Sequence, residues 1–91
     1  MEQLVAIVHG RVQGVWFRDY TRQCARELGV AGQVKNQEDG TVHVIAEGAP
    51  HILETFLERI KEGPPLAKVS KVQVAWHTAK GEHDIFVIAD S

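Results

Sequence analysis

The sequence predicts an α+β domain in which an antiparallel sheet carries two helices on one face. Two segments show the apolar period of amphipathic helices, and short β-prone runs lie before, between and after them. The predicted order along the chain is strand, helix, strand, strand, helix, strand, with a further short strand at the end. This order is that of a split βαβ arrangement.

The first strand and the first helix lie in the amino-terminal third of the chain. Leu4 to Val8 form a nearly continuous β-prone run that stops at Gly10, which predicts a strand buried on both faces or nearly so. From Phe17 the apolar residues follow helical spacing, and Gly29 supplies a left-handed C-terminal cap. The apolar stripe of this helix comprises Phe17, Tyr20, Thr21, Cys24, Ala25 and Leu28.

A β-hairpin is predicted in the middle of the chain. Residues 30–36 and 41–47 are β-prone and flank a short connection that ends in Asp39-Gly40. Glycine accepts positive φ without steric cost, so this pair is typical of a tight hairpin turn. Because side chains alternate along a strand, Asn36 shares a face with Val34, the face that packs against the helices.

The second helix and the last strands complete the order. The helix begins near Pro50, a residue suited to a first turn, and ends at Gly63-Pro64-Pro65. Its core-facing stripe comprises Leu53, Phe56, Leu57 and Ile60.

Alternation over residues 69–76 predicts a half-buried strand, and residues 85–89 form a last short one. The inward positions of the longer strand are Val72, Val74 and Trp76. Together these elements predict a ferredoxin-like split βαβ sandwich, a fold that hosts many unrelated functions.

Length, charge and cysteine content exclude several classes of protein. Ninety-one residues suffice for a single core, and we expect one domain over residues 1–91. A net charge of −2 argues against binding of nucleic acid by bulk electrostatics. Cys24 is the only cysteine, and no apolar run approaches the roughly 20 residues of a spanning helix. We therefore expect a cytoplasmic protein without a membrane segment.

The loop between the first strand and the first helix is the candidate functional segment. It carries two glycines four positions apart, Gly10 and Gly14, directly before a helix N-terminus. That N-terminus leaves about four N–H groups without partners, and glycines let the preceding N–H groups converge on an anion. No Lys-Ser/Thr pair follows Gly14, so the segment differs from a nucleotide P-loop. It is sized for one phosphate.

Arg18 strengthens this interpretation. A cation in the first helical turn opposes the helix dipole by a few tenths to about 1 kcal/mol, so helix propensity alone does not favour it there. An anion bound at the same place reverses the sign of that interaction, and a broken local rule is expected at functional sites. The alternative is an exposed arginine whose cost Asp19 offsets.

Two longer segments resemble the signatures of the acylphosphatase family. The first runs from Gly10 to Arg18, GRVQGVWFR, and the second from Gly32 to Val42, GQVKNQEDGTV. Gly63-Pro64-Pro65 and Phe86-Val87-Ile88 are also similar to that family, so the resemblance covers essentially the whole chain. Trp16 departs from it, since many members have a small residue there. We expect Trp16 to alter the rim of the site rather than its chemistry.

The resemblance implies hydrolysis of an acyl phosphate, a small molecule, to a carboxylate and inorganic phosphate. It implies no metal and no cofactor, and a monomer as the acting species. By hypothesis the Arg18 guanidinium grips two phosphoryl oxygens. By the resemblance, Asn36 holds the attacking water. The backbone N–H groups expected to bind the remaining oxygens belong to Gln13, Gly14, Val15, Trp16, Phe17 and Arg18.

Other candidate groups give weaker hypotheses. None of the five histidines pairs at i, i+2 or i, i+4, so scattered surface histidines are favoured over a zinc site. The thiol of Cys24 lies on the apolar stripe, where it is expected to be inert packing. Arg18, Arg22 and Arg26 recur every four residues and could steer anions, although a solvated surface explains Arg22 and Arg26 as well.

Three alternatives come from other functional classes. The predicted fold also occurs in RNA-recognition modules, but residues 41–47 and the first strand carry no aromatic residue on which a base could stack. A phosphate sensor would keep the pocket without turnover. The third is a detached relative of the acylphosphatase-like domain of hydrogenase-maturation proteins. Because the sequence reaches Ser91 without a further domain, we expect a free-standing enzyme instead.

Overall fold

A computed structural model describes residues 1–89 of the chain. The strands are β1 Glu2–Arg11, β2 Ala31–Asn36, β3 Val42–Gly48, β4 Lys68–Thr78 and β5 Phe86–Ile88. The helices are α1 Phe17–Leu28 and α2 Pro50–Glu62. Every predicted element is present in the predicted order, and the α+β ferredoxin-like fold is confirmed. Of the predicted last strand, residues 86–88 are extended.

The sheet has five strands in the order β4-β1-β3-β2-β5. The pairs β4–β1, β1–β3 and β3–β2 are antiparallel, as predicted, but β5 pairs with β2 in parallel. The sheet is therefore mixed rather than wholly antiparallel. The reason is topological: β5 begins at the end of the sheet where β4 finishes, so it runs against β4 and in the direction of β2.

The core lies between one face of the sheet and the two helices. In β1 the residues Leu4, Ala6 and Val8 are fully buried, whereas Val5 and Ile7 on the other face are only half-buried. The prediction of burial on both faces or nearly so is therefore met on one face only, because both helices of residues 1–89 pack on that face. Each large apolar side chain in this core contributes about 1.5–3 kcal/mol. The helices contribute Phe17, Cys24, Ala25, Leu53, Phe56, Leu57 and Ile60.

The edge strand β4 is more exposed than its alternation predicts. Val74 pairs with Ala6 and Trp76 with Leu4, so both lie on the helix-facing side of the sheet. Nevertheless 38% of Val74 and 43% of Trp76 are exposed. Side-chain alternation identifies the face of a strand but not whether a helix extends over it. The two helices here cover the sheet without covering the far half of its edge strand.

β1 is irregular near the end from which the chain leaves the sheet for α1. The register between β1 and β4 shifts between His9 and Gly10, and Gly10 has a φ of 121°. A Cβ at Gly10 would collide with the backbone carbonyl oxygen of Lys68, so only glycine allows β4 to approach this closely. Beyond this bulge the chain leaves the sheet towards α1. No helix within residues 1–89 is both long and apolar enough to cross a membrane.

Candidate active site

The loop over residues 12–16 carries the chain from β1 to α1 and alternates between buried and exposed positions. Val12 and Val15 are 1% and 3% exposed and belong to the core, which anchors the loop at two points. Gly14 and Trp16 lie outward and both have positive φ, 74° and 67°. The chain therefore curls between its two anchors, as the glycine spacing predicts.

The N–H groups of this curl have no protein acceptor within residues 1–89. The first helical hydrogen bond of α1 runs from the Tyr20 N–H to the Trp16 carbonyl, at 3.0 Å, and no side chain caps the helix. Likewise, none of the hydrogen bonds between described residues begins at the N–H of residues 13 to 16. Donors of this kind, together with the positive end of the helix dipole, form a site that favours an anion.

A cavity of about 340 Å³ opens in front of this helix N-terminus. It is lined by Val12, Gly14, Trp16, Phe17, Arg18, Asp19, Asn36 and Ile88. Arg18 and Asn36, which are distant in sequence, are thus brought to one cavity by α1 and by the end of β2. The cavity combines a guanidinium, an amide and the exposed loop with apolar walls.

The Arg18 side chain is half-buried and makes no ion pair or side-chain hydrogen bond with any residue between 1 and 89. Its neighbours on the helix differ. Arg22 pairs with Asp19 at 3.0 Å, and Arg26 donates to the carbonyl of Phe86 at 3.2 Å. The alternative in which Asp19 offsets the charge of Arg18 therefore loses its support, because that carboxylate pairs with Arg22 instead.

Asn36 presents a buried acceptor to the site. It lies at the end of β2 on the same face as Val34, and its side-chain Oδ1 is buried without a hydrogen-bond partner among the described residues. Leaving such a group unpaired costs about 1–3 kcal/mol, which calls for a functional explanation. A turn residue bonded to its own backbone, the alternative raised by the sequence, would have satisfied this oxygen.

The Gln13 side chain ties the loop to the hairpin that follows Asn36. Its Nε2 donates to the carbonyls of Gln37 and Thr41 at 2.8 and 2.9 Å. Thr41 is fixed in turn by Asp39, whose Oδ1 accepts from the Thr41 N–H at 3.0 Å and from its hydroxyl at 2.6 Å. These hydrogen bonds lower the pKa of the Asp39 carboxyl. The two halves of the site are therefore joined by side-chain contacts.

The sequence model of the acylphosphatase family matches residues 4–88. The chain belongs to the acylphosphatase family. A protein of Dehalococcoides mccartyi named acylphosphatase is 48% identical over 97% of this chain and 98% of its own. The crystal structure of acylphosphatase from Bacillus subtilis is 40% identical, covers 98% of this chain and 99% of its own, and has a TM-score of 0.95. The prediction of a hydrolase of this family is confirmed.

The acylphosphatase fold also occurs inside a longer protein. The structure of HypF from T.kodakarensis is 30% identical, with a TM-score of 0.86, over all of this chain but only 12% of that one. The two relatives described above, by contrast, match this chain over nearly their entire length.

Most of the predicted acylphosphatase site residues line the cavity. Gly14, Trp16, Phe17, Arg18 and Asn36 do so. Gln13 and Val15 do not, since the Gln13 side chain is bonded to the hairpin and Val15 is in the core. Their predicted contribution is through backbone N–H groups and stays a prediction. Sequence reasoning did not identify Val12, Asp19 and Ile88 as lining residues. Val12 lies within the first family-like segment and Ile88 within Phe86-Val87-Ile88, but neither resemblance assigned these side chains to the site.

The remaining reactive side chains lie elsewhere. Within residues 1–89 no group of three or more His, Cys, Asp or Glu side chains is arranged to hold a metal ion. Cys24 is buried, as expected for packing. Beside it, the Tyr20 hydroxyl donates to the carbonyl of Arg59 at 2.8 Å. Burial, with a smaller contribution from Cys24, raises the pKa of Tyr20 to about 12, so this phenol stays protonated.

Proposed function

We propose that this chain hydrolyses the carboxyl–phosphate bond of acyl phosphates without a metal, through the loop N–H groups, Arg18 and a water oriented by Asn36. The observation that carries the proposal is that Arg18 and Asn36 line the same cavity, beside the curled loop. Neither Arg18 nor the buried oxygen of Asn36 has a partner among residues 1–89. Both groups are therefore available to a ligand.

The phosphoryl group is the part of the substrate that this arrangement fits. Phosphoryl transfer passes through a loose transition state whose charge is spread over the phosphoryl oxygens. In this proposal the N–H groups of residues 13–18 and the fork of Arg18 donate to those oxygens, which is supported by the lack of a backbone acceptor for the N–H groups of residues 13–16 among residues 1–89. In addition, the α1 dipole stabilises negative charge at its N-terminus.

Asn36 is assigned to the nucleophile. Its amide oxygen accepts a hydrogen bond from a water molecule but cannot remove a proton at neutral pH, so it orients the water. We propose that the proton passes to a phosphoryl oxygen of the substrate. Burial of Oδ1 without a protein partner favours this role, because the water would satisfy the acceptor.

The leaving group needs no help from the protein. A carboxylate has a conjugate acid with a pKa of about 4, so it departs without a general acid. Asp19, the one carboxyl among the residues that line the cavity, fits this view because it is paired with Arg22. A monomer in the cytoplasm, with residues 1–91 as one unit and without nucleic acid, remains our prediction for the acting species.

The decisive experiment compares Arg18→Gln with Arg22→Gln in the release of phosphate from benzoyl phosphate, with EDTA present throughout. Both substitutions remove one guanidinium from the same helix, but Arg22 lies outside the cavity and pairs with Asp19. We expect Arg18→Gln to lower kcat/KM about 100- to 1,000-fold, as removal of one oxyanion donor does. Arg22→Gln should stay within about twofold of the unmodified protein.

Three outcomes would contradict the proposal. Near-normal turnover by a folded Arg18→Gln protein removes the guanidinium from the mechanism. Binding of inorganic phosphate without turnover by the unmodified chain indicates a sensor. An absence of both, with binding of single-stranded RNA, indicates a recognition module. Circular dichroism of both variants establishes that any loss is not unfolding.

A further inference from the structure

Trp16 lies at the rim of the cavity and is 72% exposed. Its backbone is held on the helix side, because its carbonyl accepts the first helical hydrogen bond of α1 from Tyr20 at 3.0 Å. On the other side the loop is anchored by the buried Val15. The position of this residue relative to Arg18 is therefore fixed, while its indole is mostly open to solvent.

Folding does not explain a tryptophan at this position. Among residues 1–89, Trp16 is the one non-glycine residue with a positive φ, and a bulky side chain is unfavourable in that conformation. Exposure of most of its surface also forfeits the burial that usually stabilises an aromatic residue. Glycine would suit the backbone better. The tryptophan therefore lowers the stability of the fold in two ways, through its backbone conformation and through its exposed apolar surface. Such a cost is expected where the side chain serves a ligand.

The cavity has two chemically different parts. Arg18 and Asn36 provide the polar part, where the proposed function places the phosphoryl group and the water. Trp16, at the rim, and the half-buried Ile88 line the same cavity with apolar side chains. A mixed anhydride has the same division, because a charged phosphoryl group is bonded to an acyl group. When the phosphoryl group lies beside Arg18 and Asn36, the acyl group must lie outside that polar part of the cavity.

We propose that Trp16 is a specificity-determining residue that packs its indole against the acyl group and selects acyl phosphates with a flat aromatic acyl group. This inference rests on the proposed function and names its substrate class. An indole face offers stacking and edge contacts to an aromatic ring that it does not offer to a methyl group. The selectivity therefore belongs to the acyl group, while the phosphoryl group is bound in the same way in every substrate.

The test is a ratio of two specificity constants, kcat/KM for benzoyl phosphate divided by kcat/KM for acetyl phosphate. We expect Trp16→Ala to lower this ratio about tenfold, the value of one aromatic contact together with its apolar burial. Trp16→Phe should keep the ratio within about threefold, because it retains an aromatic face. The ratio cancels any effect of the substitution on the loop itself, which would slow both substrates equally.

Two further variants complete the design. Trp16→Gly removes the indole at a backbone conformation that glycine adopts freely, so it should fold at least as stably as the unmodified chain and show the same loss of ratio. Trp76→Phe alters the exposed indole of β4, outside the cavity, and should leave the ratio unchanged.

The outcomes separate this inference from the proposed function. If Trp16→Ala and Trp16→Gly hydrolyse both substrates with an unchanged ratio, whether or not the two rates fall together, the specificity role is wrong and the proposed function stands. If the unmodified chain hydrolyses neither substrate, the proposed function fails and this inference fails with it.

Discussion

The two ends of the sheet differ in whether their buried polar atoms have hydrogen-bond partners. At the far end, where residues 79–85 cross from β4 to β5, Glu47 is buried, with 3% of the residue exposed. Its Oε2 accepts from the Gln3 Nε2 at 3.2 Å and from the Lys80 N–H at 3.1 Å. At the site end, by contrast, the buried Oδ1 of Asn36 has no partner within residues 1–89.

Helix α1 repeats the same contrast along its own axis. At its C-terminus Gly29 adopts the left-handed conformation and donates to the Arg26 carbonyl, and Val30 donates to the Ala25 carbonyl at 2.8 Å. At its N-terminus Trp16 has the same left-handed conformation but provides no side-chain cap. The C-terminus of α1 is capped by backbone hydrogen bonds, whereas its N-terminus has a bulky residue at positive φ and no side-chain cap. The departures gather around one cavity, which is why we place the function there.

The largest effect expected from this comparison follows substitution of Asn36, which should reduce turnover without reducing stability. We expect Asn36→Ala to lower kcat about 100-fold, because the attacking water loses its positioning. The inhibition constant of inorganic phosphate should stay within about threefold, since the anion donors remain. The free energy of unfolding should not fall, because the substitution removes an unsatisfied buried oxygen rather than a made hydrogen bond.

Gln33→Ala is the matched control for Asn36→Ala. It removes another amide from β2 at a position of opposite parity, which places it on the face away from the helices. Turnover of benzoyl phosphate by this variant should be normal. If Asn36→Ala destabilised the protein by several kcal/mol in urea unfolding while its kcat stayed normal, the oxygen would be structural and the contrast between the two ends would disappear.

At the far end the expectation is reversed. Glu47→Ala leaves the Gln3 amide and the Lys80 N–H without their shared acceptor. We expect the free energy of unfolding to fall by about 1–3 kcal/mol, the cost of unsatisfied polar groups in a buried setting. Turnover below the unfolding transition should be unchanged, because this end lies opposite the cavity. Urea unfolding and a benzoyl phosphate assay on the same preparation measure both quantities.

The exposed Glu54 of α2 supplies the control for Glu47. Glu54→Ala should change the free energy of unfolding by less than about 0.5 kcal/mol, as surface substitutions generally do. A loss of turnover in Glu47→Ala that exceeds the loss in the fraction of folded protein would mean that the two ends are coupled. In that case the division of the molecule into a stable end and a functional end would be wrong.

The sequence predicted the elements of the fold because their signals are local. The apolar stripe from Phe17 to Leu28 and the Asp39-Gly40 turn each depend on residues a few positions apart. The parallel pairing of β5 with β2 and the exposure of Trp76 depend instead on which elements meet in space. Periodicity within a segment carries no information about either.

The site divides in the same way. Arg18 and Asn36 were predicted because a broken helix rule and a family signature mark them. The side-chain role of Gln13 was not predicted, because its two hydrogen bonds join positions 24 and 28 residues apart. Nothing in the local sequence distinguishes a glutamine that binds a hairpin from one that points to solvent.

The smallest expected effect concerns the turn that this glutamine grips, and it appears as a dependence on pH. Hydrogen bonds from Thr41 lower the pKa of Asp39 below its ordinary value of 3.8. The unfolded chain therefore takes up a proton at Asp39 before the folded chain does. The resulting stabilisation is present above that ordinary value and is lost as the pH falls through the pKa of the folded state.

In Asp39→Asn the side-chain oxygen still accepts from Thr41, but it cannot titrate. The difference in urea midpoint between this variant and the unmodified chain should consequently change between about pH 6 and about pH 3 in favour of the variant. A constant difference over that range would show that the hydrogen bonds of the turn do not discriminate between the carboxylate and its protonated form.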